Sequence, residues 1–244
     1  MSQEISLITD QKEVFDDIQL YQAAIGSLNY AAIATRPDLS VAVGMLSKFM
    51  SNPSKDHWCG IKRVMRYIRG TLDLGLKFSY SDDFRLWGFS DADWAGCLDT
   101  RKSTSGHVFR LGNATIGWRS KKQSVVALSS TESEYVALCA AAQETVWLRN
   151  LLKGVGLEQK NATVIYEDNQ GAMALAKNPN NHPRTKHIDI KYHYIRGTIE
   201  DDILKVCYCA TNDMVADFMT KSLAKPLFEK FRNLMGIVPA CVME

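Results

Sequence analysis

LWGFSDADWAGCLDTRKSTSGHVFRLGNATIGWRS (86–120) reads as three short strands in succession: LWGFSDAD, SGHVFRL and ATIGWRS. Aromatic and β-branched residues alternate with polar ones, and Gly112-Asn113 supplies the turn between the second and third. Beyond this stretch the period changes. A long helix is predicted from about Thr131 to Lys153, ended by Gly154 and Gly156. TVIYED then reads as a strand, NQGAMALAK as a short helix and KNPNNHPRTK as a loop. HIDIKYHYIRGTIE is a helix, LKVCYCA a fifth strand and NDMVADFMTKSL a last helix. The order βββαβα(α)βα predicts an α/β domain, a mixed five-stranded sheet covered on both faces by helices.

Upstream of the strands the pattern is helical. Ile25, Leu28 and Ala32 make one stripe; Leu39, Val43 and Leu46 make another after Pro37. A third helix runs from about Ser54 to Arg69, with Ile61, Val64, Met65 and Ile68 facing inward. Its outer face gathers Lys55, Lys62, Arg63, Arg66 and Arg69 with Asp56 as the only acid, which suits phosphate contact as well as a solvated face. Residues 1–18 are polar and acidic and read as a loosely held arm. Net charge is only +2 over 244 residues, so a nucleic-acid surface must come from such local clustering. No apolar run reaches the length of a membrane span and the start has no signal-peptide core, so no membrane partner is expected. The six cysteines form no CxxC pair, which points to reduced thiols in an intracellular protein and away from structural zinc.

Four acids can meet. Asp91 ends the first of the three strands, on the face of Trp87 and Phe89, although alternation puts Asp93 there too. Asp168 ends the fourth strand, in phase with Val164 and Tyr166. Adjacent parallel strands would set Asp91 and Asp168 side by side at the carboxyl edge. Glu134 shares a helical stripe with Leu138, Ala141, Leu148 and Leu152, the face that must pack on the sheet, whereas Glu132 lies roughly 200° away, towards solvent. A carboxylate aimed at a buried face costs several kcal/mol unless a cation answers it. A capping box offers another role: Thr131-x-x-Glu134 fits one, and so does Ser129-x-x-Glu132. Asp217 lies one turn inside the final helix, too far in to serve only its dipole, with Asp213 one turn earlier on the same face. Such a cluster coexists at neutral pH only with cations, and hard oxygen ligands select Mg²⁺ or Mn²⁺. Two ions about 3.5–4 Å apart hydrolyse phosphodiesters.

The blocks SDADWAGC (90–97), RKSTSGHVF (101–109), SSTESEYVAL (129–138), YEDNQGA (166–172), KHIDIKYHYIR (186–196) and MVADFMTK (214–221) resemble the RNase H domain of copia-type retrotransposon polyproteins. GSLNYAAIATRPDLSVAVGMLSKFMSNPSKDHW and KRVMRYIRGT resemble the segment joining their reverse transcriptase to that domain. The resemblance spans roughly residues 20–236. Beside the arm read at 1–18, it implies a helical connection segment (19–79) and an RNase H-like domain (80–236), which leaves a tail (237–244). It assigns Asp91, Glu134, Asp168 and Asp217 as the four metal-binding catalytic acids, and it alone separates Asp91 from Asp93. The implied activity is cleavage of the RNA strand of an RNA–DNA hybrid with two Mg²⁺ or Mn²⁺ ions. The implied partners are that hybrid and the polymerase portion of the same polyprotein; the implied setting is a cytoplasmic particle and the nucleus.

Two departures accompany the resemblance. The loop before the last acid, Ala210-Thr211-Asn212-Asp213, lacks the histidine of many cellular RNases H, and no Tyr-x-Asp-Asp strand of a polymerase is present. They keep an alternative open: a nucleic-acid-binding remnant or structural subunit without cleavage. Sensing 2′-hydroxyls calls for small polar residues near the site, and Ser103, Ser105, Asn169 and Gln170 are candidates, with helix capping an equal role for Asn169. Arg119, Lys121 and Lys122 form one basic cluster; Arg184, Lys186 and Lys191 form another; Lys62 and Arg66 lie on the basic helix. His187 and His193, six apart, suit packing or surface roles, and Trp94, Trp118 and Trp147 are expected in the core.

Overall fold

The computed structural model describes residues 13–177 and 189–240. In chain order the elements are α1 (Ile18–Ala34), α2 (Ser40–Ser47), α3 (Lys55–Arg69), β1 (Leu74–Leu76), β2 (Leu86–Asp93), β3 (Thr104–Leu111), β4 (Ala114–Lys122) and α4 (Ser130–Gly154). They continue as β5 (Thr163–Glu167), α5 (Gln170–Lys177), α6 (Asp189–Glu200), β6 (Leu204–Tyr208), α7 (Asp217–Thr220), α8 (Lys225–Leu234) and β7 (Ile237–Pro239). Arg184, Lys186, His187 and Cys241 lie outside the described residues, as does most of the segment read as an arm.

The described residues fall into two compact units, 13–78 with 221–240, and 79–220. In the first, Tyr21, Ile25, Leu28 and Ala32 of α1 pack with Leu39, Val43, Leu46, Ile61 and Val64, the stripes read from the sequence. Met65 is a correction: it is exposed, because its position falls on the same side as Lys62 and Arg66 rather than with Ile61 and Val64. Ser54 caps α3, accepting from the His57 N–H while the His57 ring accepts from the Ser54 N–H. The last residues of the expected loose arm are held: Val14 bridges Ser54, and Phe15 stacks on Trp58 at 4.8 Å. An apolar ring at position 15 finds an aromatic partner that a polar arm would not. The start of the expected tail is β7, antiparallel to β1 with Gly75 opposite Val238.

The second unit holds the expected mixed sheet, in the order β4-β3-β2-β5-β6. β2, β3 and β4 pair antiparallel, and β2–β5 and β5–β6 pair parallel. Gly112, at φ +54°, makes the β3–β4 turn. α4 buries Tyr135, Leu138, Ala141, Ala142, Leu148 and Leu152 against Leu86, Phe109 and Ile165 of one sheet face. α7 lies on the other face, and Gly106 permits it: a Cβ there would come within 2.7 Å of Met219 and Thr220.

Two expectations change. The last helix is not continuous, since Thr211–Asp213 forms a separate 3₁₀ turn and α7 begins only at Asp217, so Asp213 and Asp217 share no helix face. Its sequence could carry one helix, but burial of Met214 to Thr220 on the sheet sets the chain's path instead. Trp94 and Trp147 are half exposed rather than core, and the Trp94 indole N–H donates to Ala127 O. The five described cysteines form no disulfide.

Candidate active site

β2 and β5 are parallel neighbours with Phe89 opposite Tyr166, so Asp91 and Asp168, each two residues further on, emerge side by side. α4 brings the third carboxylate. Of the two capping boxes the sequence allowed, the helix uses the earlier start: Ser129 Oγ accepts from the Glu132 N–H at 3.1 Å. The Glu132 carboxylate folds back to accept from Leu128 N–H at 2.8 Å, which buries it; its expected solvent-facing position is thus corrected. Glu134 has no part in that cap, and its carboxylate accepts from the Ala92 N–H. Asp91, Glu134 and Asp168 bring ligand oxygens within 4.8 Å of one another. Asp93 goes elsewhere, its carboxylate packing on Gly96.

The group is supported from both sides. Thr220 of α7 donates its hydroxyl to Asp91 Oδ2, and Thr211 donates to Asp168 Oδ2 at 2.7 Å. Asp217 is buried at the start of α7 but is not one of the three carboxylates that meet. Burial, reinforced by Glu167, Asp91 and Asp168 close by, pushes the Glu134 carboxyl up to about 11. Burial also holds Glu167 well above the usual carboxyl range, against the opposing hydrogen bond from Asn169. The donor set fits a hard divalent cation: the atoms that meet are all carboxylate oxygens, and the buried Glu134 Oε2 meets no hydrogen-bond donor among the described residues.

The expected nucleic-acid contacts divide. Ser103 is fully buried, its hydroxyl accepting from Ala95 N–H, which removes it from any contact surface. Ser105 accepts from the Gln123 side chain at 2.8 Å, and that amide also donates to Ser133 O. Asn169 caps α5, accepting from Ala172 N–H at 2.9 Å. Lys122 donates to Cys97 Sγ at 3.0 Å. Gln170, Arg119 and Lys121 are exposed in the unit of the three acids; Lys62 and Arg66 are exposed on α3 in the other unit. Lys55 pairs with Glu13, which draws one charge from that basic face. Lys191 is half-buried and His193 exposed. The sequence reading overlooked Thr211, Thr220, Gln123 and Glu167. Only Glu167 left a signal there, as an acid in phase with the apolar Ile165 of its strand.

No family model matches the chain. A retrovirus-related Pol polyprotein from transposon TNT 1-94 of Nicotiana tabacum is 46% identical over 217 residues, 89% of this chain and 16% of that protein. A Plasmopara viticola protein named secreted RxLR effector protein 161 is 52% identical over 128 residues, 52% of this chain and 90% of its own length. The chain therefore spans about one sixth of the polyprotein. Among solved structures, RNase H1 of Halobacterium salinarum NRC-1 aligns with 56% of this chain and 94% of its own at 14% identity and a TM-score of 0.43.

Proposed function

We propose that this chain, which belongs to the retrovirus-related Pol polyproteins of copia-type transposons, is a divalent-metal-dependent endoribonuclease that hydrolyses the RNA strand of RNA–DNA hybrids. The observation that carries this reading is the meeting of Asp91, Glu134 and Asp168 at the carboxyl edge of two parallel strands. These three carboxylates would hold Mg²⁺ or Mn²⁺, with Asp217 assigned beside them by the family resemblance. Two such ions supply activation of a water and charge stabilisation at the departing oxygen of a phosphodiester.

The chain's own residues fix the arrangement. Thr220 holds Asp91, Thr211 holds Asp168, and the Ala92 N–H holds Glu134, so each carboxylate has one oxygen engaged by protein. Preorganisation of this kind removes reorganisation from the reacting step. Arg119 and Lys121, exposed on the edge strand β4, would take backbone phosphates, and Gln170 a ribose hydroxyl. Lys62 and Arg66, exposed on α3 of the other unit, would take phosphates there. The polymerase portion of a longer polyprotein is the proposed protein partner and its cytoplasmic particle the proposed setting. Among the described residues no helix is long and apolar enough to cross a membrane.

The test is cleavage of an RNA–DNA hybrid by the purified chain with Mg²⁺ and then with EDTA. Cutting of the RNA strand alone, abolished by EDTA and by Asp168→Asn while hybrid binding persists, is the expected result. Wild-type cleavage by Asp168→Asn would remove the metal-site reading. One observation favours a second reading, binding without cleavage. The loop before Asp217 carries no histidine and folds as a 3₁₀ turn tied to Asp168 through Thr211. Tight hybrid binding with no cutting in either metal would select it.

A further inference from the structure

Glu167 closes β5 in phase with Thr163 and Ile165, and it is fully buried. Its Oε1 accepts from the Asn169 N–H at 3.2 Å, while its Oε2 is shut from solvent and meets no hydrogen-bond donor among the described residues. The Glu167 carboxyl lies against that of Glu134, whose Oε2 is likewise buried without a donor. No lysine or arginine among the described residues is paired with either acid. Buried carboxylates persist when they are paired or coordinate metals. Here the missing counter-charge sits beside the group formed by Asp91, Glu134 and Asp168, and the acids that crowd Glu134 are Glu167 first, then Asp91 and Asp168.

We propose that Glu167 is a further carboxylate of the cation site, contributing through its buried carboxyl group next to Glu134. The inference rests on the metal reading above and extends it. Glu167 stands against Glu134, beside the three carboxylates that meet within 4.8 Å, and is additional both to them and to Asp217. The strand geometry explains how it gets there. Asp168 points with Tyr166 to one side of β5, Glu167 points with Ile165 to the side covered by α4, and Glu134 descends from α4 to meet it.

Mn²⁺ titrated calorimetrically into the full chain tests this, comparing wild type, Glu167→Gln and Glu167→Asp. The glutamine keeps an acceptor for the Asn169 N–H and removes only the charge. Mn²⁺ affinity about tenfold weaker in Glu167→Gln, with Glu167→Asp between the two, is the expected result. Wild-type affinity in a folded Glu167→Gln would overturn the proposal, since it would leave Glu167 as an anchor of the β5–α5 turn. Should the glutamine variant not fold, Glu167→Asp decides: several-fold weaker binding supports the assignment, and wild-type binding rejects it. If wild-type protein takes up no Mn²⁺ at millimolar concentration, the metal reading itself fails and this inference with it. Unchanged affinity in Glu167→Gln alone removes only the inference.

Discussion

Glu134 shows what a single side chain sacrifices for the site. It is buried, three other acids press on it, and its carboxyl is pushed far above the ordinary range, first by loss of water and then by those neighbours. The consequence for stability has a definite sign. A carboxyl raised in the folded state binds its proton more tightly there than in the unfolded chain, so metal-free stability falls as pH rises above about 4.5 towards the folded value. Glu134→Gln should therefore raise the metal-free stability at pH 7 by about 2 kcal/mol, the scale of an unanswered buried polar group. Thermal melts with EDTA and with Mg²⁺ check this. Mg²⁺ should stabilise wild type more than the variant, and a metal-free Glu134→Gln that melts lower than wild type would contradict the account. Glu132, two residues away, departs from the direction that helical periodicity predicts. Helical geometry gives the direction of a Cα–Cβ bond, but Glu132 turns back over the helix start to reach Leu128 N–H, a choice made by the local backbone.

At the scale of elements, α7 matters more than its four residues suggest. It brings Thr220 to Asp91 and lies on β3 only because position 106, directly opposite Asp91, has no side chain. Gly106→Ala would place a methyl within 2.7 Å of Met219 and Thr220, so α7 must shift. A cost of about 1–3 kcal/mol is expected, as for overpacking elsewhere, and a parallel loss of Mg²⁺ affinity as Asp91 loses its donor. Thr220→Val separates the two effects: it keeps the packing volume and removes only the hydroxyl. It should reduce hybrid cleavage about tenfold with a stability loss near 1 kcal/mol, a typical hydrogen-bond contribution. Equal cleavage by Thr220→Val and wild type would show that Asp91 needs no such support. The sequence pattern of residues 212–223 allowed one unbroken helix. Its division into a 3₁₀ turn and α7 depends on burial of Met214 to Thr220 against the sheet, which no local period encodes.

At the scale of the whole molecule, the chain's described ends belong to one unit. β7 pairs with β1, Phe228 of α8 meets Tyr67 of α3 edge-on at 6.0 Å, and Phe231 and Met235 are fully buried. Arg232 donates to the Tyr67 hydroxyl, which itself donates to Asp38, the buried partner of Arg36. Deleting residues 221–244 should therefore strip the helical unit of a layer and leave the mixed sheet with all its strands. The expected outcome is an early melting transition with exposed apolar surface, followed by dye binding, ahead of the main one. A truncated chain that melts in one transition at the wild-type temperature would show that α8 and β7 add nothing to the helical unit.

What the sequence determined by itself is whatever a local period records. The strands at 86–93 and 163–167, the buried stripe of α4 from Glu134 to Leu152, and the helical stripes of α1 and α2 all follow from side chains repeating every two or every three to four residues. Asp91 and Asp168 could be placed at strand ends on one face for the same reason, although their meeting required β2 and β5 to be neighbours. Tertiary structure decided the rest. It turned Asp93 onto Gly96 and left Asp91 with Glu134 and Asp168, and it drew Ser103, Ser105 and Lys122 into internal hydrogen bonds. It also set Glu167 against Glu134 from a different element and joined β7 to β1 across the length of the chain. These outcomes depend on which distant groups come within hydrogen-bonding reach. Periodicity says which face a residue occupies, and only packing says what waits there.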